Sequence, residues 1–294
     1  MARKQVKSVA GKVVAITGGA RGIGKATATA LVRRGSRVAI GDLDLALAEQ
    51  TANELGGGVV AYELDVTDRS SFERYLDEAE KQLGPIDVLI NNAGIMPIGP
   101  LVEESDEVAK VMIDINLHGV LFGTKLAMAR MVPRGSGHIV NIASQAGKAG
   151  LPGGATYCAT KHAVVGLSEA TRAELRDTGV EVSCVMPAVV NTELGDGLPE
   201  TRGVKKLEPE EVAEAIVEAI ETNRFDVWVP SSSAGIAVVM NMLPRRGREA
   251  IGRLLNADKV LAEPDQAKRA AYEDRAAHST AEDQAAASET AGTT

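Results

Sequence analysis

Tyr157 and Lys161 stand four residues apart in a stretch that reads as helix, so both side chains fall on one face. An ammonium beside a phenol stabilises the phenolate and draws its pKa from about 10 toward the working pH. A tyrosine tuned in this way can exchange a proton with an alcohol or a carbonyl. Ser144 lies 13 residues upstream at the end of an apolar run, where its hydroxyl can hold the substrate oxygen. Taken alone, a Tyr-x-x-x-Lys spacing also describes an exposed helix face. The serine, the Gly-rich loop between and a total of only four tyrosines favour chemistry.

A second group has the form of a phosphate cradle. Thr17-Gly18-Gly19-Ala20-Arg21-Gly22-Ile23-Gly24 follows an apolar run and precedes a helical pattern. Glycines at 18, 22 and 24 permit a tight turn and let the backbone approach a pyrophosphate. The helix start offers oriented N–H groups and a positive dipole end. A packing turn in another α/β protein would use the same residues. The position between a first strand and a first helix is what favours a dinucleotide. Asp42 closes the next apolar run, 18 residues after Gly24. A carboxylate there accepts hydrogen bonds from ribose hydroxyls and repels a 2′-phosphate, favouring NAD over NADP. Arg21 is the counterweight, because a basic side chain beside the cradle can neutralise that phosphate. Asp42 carries more weight, since it is expected against the hydroxyl itself; a helix N-cap is its compatible structural role.

These residues need a scaffold, and short apolar runs alternating with helical ones supply it. Residues 12–19, 37–42, 59–66, 86–94, 138–144, 180–187 and 225–230 read as strands. Residues 26–34, 43–55, 70–83, 106–132, 156–178 and 209–222 read as helices. Strands apolar on both faces and separated by helices predict a parallel sheet covered on both sides. The right-handed crossover rule makes it an α/β, Rossmann-type, doubly wound sheet of seven strands. Ser144 then ends the fifth strand, at the carboxyl edge where such sheets bind ligands. Nothing before about residue 232 marks a boundary, so residues 1–232 read as one domain. Residues 233–275 read as a helical extension, with a helix pair interrupted at Pro244. From 276 to 294 no large apolar residue occurs, which predicts a disordered tail.

With these motifs in order, the sequence resembles the short-chain dehydrogenase/reductase superfamily over about residues 8–232. The match includes the Thr17–Gly24 loop, Asp65-Val66, Asn91-Asn92-Ala93-Gly94, Asn116, Ser144, Tyr157 with Lys161, and Pro187 with Thr192. The resemblance implies a hydride transfer between NAD(H) and an alcohol or ketone. It implies Tyr157 as general acid/base, Lys161 as the group that lowers its pKa and holds the nicotinamide ribose, and Ser144 as the group orienting the substrate oxygen. Asn116 would sit in the long helix after the fourth strand and anchor a water in the proton relay. Asp65 and Val66 would contact the adenine, and Asn92, with Ala93 and Gly94 beside it, would lie near the adenosine ribose. Residues 185–192, with Pro187 and Val190 among them, would flank the nicotinamide, with Thr192 near its carboxamide. Ala188 departs from the family, which usually has glycine there. Members usually form dimers or tetramers through two long helices, here 106–132 and 156–178.

Composition limits the alternatives. The chain has 294 residues, 45% hydrophobic and 24% charged, an ordinary soluble balance. Aromatics are 3%, so Val, Ile, Leu and Ala must build the core. A net charge of −8 argues against a nucleic-acid partner. Cys158 and Cys184 lack metal-ligand spacing, and His118, His138, His162 and His278 form no ligand set, so no metal site is expected. Free thiols and the lack of a signal-peptide core point to the cytoplasm. Substrate loops are expected at 95–98, 145–154 and 188–202. The first two, mostly small or apolar, suggest a lipophilic secondary alcohol or ketone, with simple loop shaping as the plain alternative. In the extension, Ile251, Leu254 and Leu255 share a helix face, and Arg245, Arg246, Arg248 and Arg253 form a basic surface. Contact of 234–256 with a membrane surface is one reading. A helix covering the pocket or packing on a neighbouring subunit is preferred. Other functions held open are an NADPH-dependent carbonyl or 3-oxoacyl reductase, a non-catalytic NAD(H) sensor, and a lyase or dehalogenase of the same fold.

Overall fold

The computed structural model describes residues 7–199, 206–254, 256–277 and 279. Seven strands form its sheet: β1 (Val13–Thr17), β2 (Arg37–Asp42), β3 (Val60–Glu63), β4 (Val88–Asn91), β5 (Gly137–Ile142), β6 (Val180–Pro187) and β7 (Asp226–Val229). Their order is β3-β2-β1-β4-β5-β6-β7, with every neighbouring pair parallel. The chain moves outward from β1 to β3, returns, and continues on the other side from β4. This is the doubly wound Rossmann-type arrangement expected from the apolar runs. The reversal between β1 and β4 opens a crevice at their carboxyl ends.

All five residues of β1 are buried, and they serve two cores by strand alternation. Val14 and Ile16 pack beneath α1 (Gly22–Arg33), α2 (Leu45–Leu55) and α7 (Pro209–Thr222), through residues such as Leu31, Ala48 and Ile216. Val13 and Ala15 face α3 (Arg69–Leu83), α5 (Gly119–Met131) and α6 (Ala155–Glu174), through Phe72, Leu126 and Val164. The scarcity of aromatics is met by aliphatic layers on both sides of the sheet.

Element ends differ from expectation where glycines or partners decide them. The first helix begins at Gly22 rather than 26, because the glycine turn already takes up its first residues. β3 is shorter than 59–66, since its partner β2 stops at Asp42. The long helix runs as α4 (Asp106–Ile113), a π-helical turn at Asp114–His118, and α5. Among the described residues this segment alone is long and apolar enough to cross a membrane, and half of its apolar window is buried in the fold.

After β7 the chain forms α8 (Ser233–Met242) and α9 (Arg245–Leu254), parted at Pro244 as expected. A last helix, α10 (Gln266–Ala277), corrects the expected start of the tail at 276. Ala276 is only 2% exposed and belongs to the packed structure. The remaining tail call, residues 280–294, and His278 and Leu255 lie outside the described residues.

Candidate active site

The ends of β1, β2, β5 and β6 and one helix bring the chemistry together. Ser144 follows β5, and the buried face of α6 carries Tyr157 and Lys161. All three line one continuous cavity of about 1690 Å3 that also reaches Gly18, Asp42 and Thr192. The Lys161 Nζ donates to the Ile142 carbonyl at 3.0 Å and stands 5.7 Å from the centre of the Tyr157 ring. Ser144 hydrogen-bonds the phenol.

The electrostatics correct one expectation. Burial pushes the Tyr157 phenol up to about 12, with the Ser144 hydrogen bond only partly opposing it. The Lys161 ammonium is desolvated as well, and burial pushes it down to about 8. Helix spacing put the two side chains on one face, but spacing carries no information about the loss of water around both.

Asn116 stands in the π-helical turn, a local unwinding often found at functional sites. Its amide donates to the Ile95 carbonyl (2.8 Å) and accepts from the Ile95 N–H (2.8 Å), with a further bond to Thr160 (3.3 Å). The side chain therefore clamps the strand-end loop. Gly94 lies against this clamp and against Lys161, where an added methyl would meet Asn116 Oδ1 at 3.1 Å.

The glycine loop has the shape of an anion cradle. Gly18 takes φ +63°, and a methyl there would stand 2.9 Å from the Ala93 Cα. A methyl on Gly24 would stand 2.1 Å from the Gly18 carbonyl oxygen. The first turn of α1, with Gly22 and Ile23, has no side-chain cap and no acidic residue, so its N–H groups remain for an anion. These residues fit a dinucleotide. Thr17 and Asn92 hold the loop in place. The Thr17 hydroxyl accepts from the Asn92 and Ala93 N–H groups, both at 3.0 Å. The Asn92 amide donates to the Thr17 and Gly18 carbonyls, both at 2.9 Å. Asn92 borders the cavity, yet its amide N–H groups serve the loop rather than a ribose.

Asp42 ends β2 at the cavity wall. Its carboxylate accepts from the N–H groups of Ala20 (3.0 Å) and Asp44 (3.3 Å), while burial raises its pKa. Arg21 pairs with Asp44 (3.4 Å) and Glu193 (3.3 Å), so two carboxylates already compete for its guanidinium. Asp65 and Val66 also line the cavity; Asp65 accepts from the N–H (2.8 Å) and hydroxyl (2.6 Å) of Thr67. Pro187, Val190 and Thr192 line it from the end of β6. Ala188 donates its N–H to the Val229 carbonyl at 2.8 Å and has no left-handed backbone, so alanine fits where the family has glycine.

Of the predicted substrate loops, 95–98, 145–154 and the described part of 188–202 contribute lining residues. Cys158 packs with Leu151 and Leu261, and its Sγ accepts from the Leu151 N–H at 3.4 Å. His162 borders the cavity, its ring bonded to the Cys158 carbonyl at 2.8 Å. The C-terminal segment supplies residues that the sequence reading missed. Val260 and Leu261 pack with Met96 and Tyr157. Tyr272 lines the cavity, accepting from the Met96 N–H at 2.7 Å. Arg269 is 2% exposed and donates to the carbonyls of Met96 (2.8 Å), Leu194 (3.0 Å) and Asp196 (3.0 Å). Its Nε pairs with Glu273 at 2.7 Å. The one available signal was Tyr272 itself, one of four tyrosines, beside a charged helical stretch that otherwise reads as solvated.

Comparison with known proteins agrees with this geometry. The family model described as short chain dehydrogenase matches residues 12–203. A 17-beta-hydroxysteroid dehydrogenase 13 of Rattus norvegicus is 35% identical over 256 residues, covering 85% of each chain. A sorbitol dehydrogenase of Cereibacter sphaeroides is 42% identical over 189 residues, covering 64% of this chain and 74% of that protein. A solved short chain dehydrogenase/reductase from Burkholderia phymatum, in complex with NAD, superposes with a TM-score of 0.74 at 28% identity, covering 80% of this chain and 94% of that one. A parallel sheet in this order, a glycine cradle at its switch point and a Ser–Tyr–Lys group beside it thus occur together with a family match over most of the sheet: the chain belongs to the short-chain dehydrogenase family of oxidoreductases.

Proposed function

We propose that this protein is an NAD-dependent dehydrogenase or reductase acting on a lipophilic secondary alcohol or its ketone. The observation that carries the reading is the convergence of Ser144, Tyr157 and Lys161 in the same cavity as the glycine cradle. The nicotinamide coenzyme, when bound, supplies the hydride acceptor or donor. The chain's residues handle the proton. In oxidation Tyr157, as phenolate, would take the proton of the substrate hydroxyl. In reduction the Tyr157 hydroxyl returns that proton to the carbonyl oxygen. Ser144 holds the reacting oxygen, and Lys161 supplies positive charge beside the developing phenolate. Asn116 holds the Ile95 backbone and belongs to the proton relay in this reading.

Asp42 supports NAD over NADP, because a 2′-phosphate would meet a carboxylate already fixed by two backbone N–H groups. The commitment of Arg21 to Asp44 and Glu193 supports the same choice. The lipophilic substrate is supported by lining residues such as Met96, Leu151, Leu198, Met240 and Leu261. It is also supported by the steroid-named relative, whose matched length of 256 residues exceeds the 189 of the sorbitol-named one. Cytoplasmic residence, and a homodimer or homotetramer built on α4–α5 and α6, complete the proposal.

The test is titration of NADH and NADPH by fluorescence, on the native chain and on Asp42→Ala. NADH should bind more tightly, and the substitution should weaken NADH while narrowing the preference. Equal or tighter NADPH binding would favour the NADPH-dependent carbonyl or 3-oxoacyl reductase instead. No binding of either coenzyme would remove the basis of the proposal.

A further inference from the structure

The outer surfaces of α8 and α9 play no part in the chemistry above. The α8 sequence, SAGIAVVMNM, contains no charged residue. One side of it, with Ile236, Ala237 and Met240, borders the cavity. The opposite side carries Val238, Val239 and Met242, which are 56%, 60% and 80% exposed. A helix with apolar side chains on opposite sides is ordinarily covered on both. Nothing among the described residues covers this outer side. After Pro244, α9 is amphipathic. Arg245, Arg246, Arg248 and Arg253 are all exposed on one arc, with Glu249 their only acid. Leu254, on the other arc, is 69% exposed. Four arginines on a ten-residue helix stand out in a chain of net charge −8.

We propose that α8 and α9 dock on an anionic lipid membrane. The apolar side chains enter the interfacial layer, and the arginines reach the headgroups along their aliphatic stems. Charge decides between this occupant and a second copy of the chain. A two-fold contact centred on α8 would bring the arginine-rich α9 helices of both copies together, with Glu249 alone to offset them. An anionic surface pairs with all four. Both helices also border the cavity, at Ile236 and Met240 on α8 and at Arg245, Arg248 and Arg253 on α9, so that three of the four exposed arginines stand at its rim and Arg246 lies outside it. A docked enzyme would therefore take its substrate from the lipid phase. The docking stands on exposure and charge; its link to catalysis rests on the lipophilic-substrate reading.

The experiment is flotation of the full chain with vesicles of phosphatidylcholine alone and of phosphatidylcholine mixed with phosphatidylglycerol. Two variants are compared: Val239→Glu/Met242→Glu and Arg246→Glu, at exposed positions outside the cavity lining. NADH binding on the same samples verifies that each is folded and keeps failure of the coenzyme site separate from failure of docking. The expected result is flotation with the anionic vesicles only, weakened by salt, and lost about tenfold or more in either variant. Absence of flotation, or equal flotation with neutral vesicles and in both variants, would overturn the proposal. So would a dimer in sedimentation velocity that Val239→Glu/Met242→Glu converts to monomer, since a second copy would then cover α8.

Discussion

Lys161 shows what the site costs the fold. Its pKa in the folded chain is about 8, against an ordinary 10.5, because burial disfavours its charged form. Between those values the unfolded chain holds a proton that the folded chain has shed. Stability therefore rises with pH through that window, and below about pH 8 the full penalty is present. Lys161→Met should flatten this rise and stabilise the protein near neutral pH by about 1–3 kcal/mol, while removing turnover. Urea denaturation near neutral pH and at about pH 10 reads both effects. Unchanged slopes would mean that the lysine finds solvent in the native state. Gly24 offers a second test at this scale. A methyl there collides with the Gly18 carbonyl, and shifting that carbonyl also disturbs the Asn92 brace. Gly24→Ala should weaken NADH binding at least tenfold, with a thermal transition that remains cooperative. Native NADH affinity would show that the loop has room to spare.

The last helix is an element whose role the sequence concealed. In α10, Arg269 and Glu273 have the spacing of a solvated i,i+4 pair, yet Arg269 is almost fully buried. It ties the Met96 loop to the Leu194–Asp196 loop through three carbonyls. Removing it leaves those carbonyls unpaired in the interior, at a cost of about 3 kcal/mol. Arg269→Met should therefore lower stability and loosen the packing of Val260 and Leu261 over Cys158. A thiol reagent should then modify Cys158 faster, while Cys184, in β6 of the central sheet, reacts only on global unfolding. Labelling of both thiols at one rate would mean that the whole fold, rather than the C-terminal cover, has given way. The strands were more legible, because parallel strands buried on both faces are continuous apolar runs bounded by turns. The motifs at their ends followed, since the crevice lies at the carboxyl edge. Asn92, the Tyr157 phenol and Arg269 were not legible in the same way. A hydrogen-bond partner distant in sequence and the loss of solvent are properties of the assembled fold, and no local spacing encodes them.

At the scale of the whole molecule, one cavity joins three contributions. The first half of the sheet brings the glycine cradle and Asp42, the second half brings Ser144, Tyr157 and Lys161, and the C-terminal extension brings Leu261 and Tyr272. The cradle end is rich in backbone N–H groups; the end beside the C-terminal extension combines apolar residues such as Met96, Leu198 and Leu261 with charged ones such as Arg245 and Arg253. That division implies that proton exchange depends on Tyr157, whereas coenzyme affinity does not. The measurement that tests this most directly is the absorbance of reduced nicotinamide with NAD and a panel of lipophilic secondary alcohols, for the native chain and Tyr157→Phe. At least one alcohol should be oxidised, and the substitution should lower its turnover by about 10²–10⁴-fold with NADH affinity unchanged. Turnover of the same alcohol at the native rate by Tyr157→Phe would contradict the account.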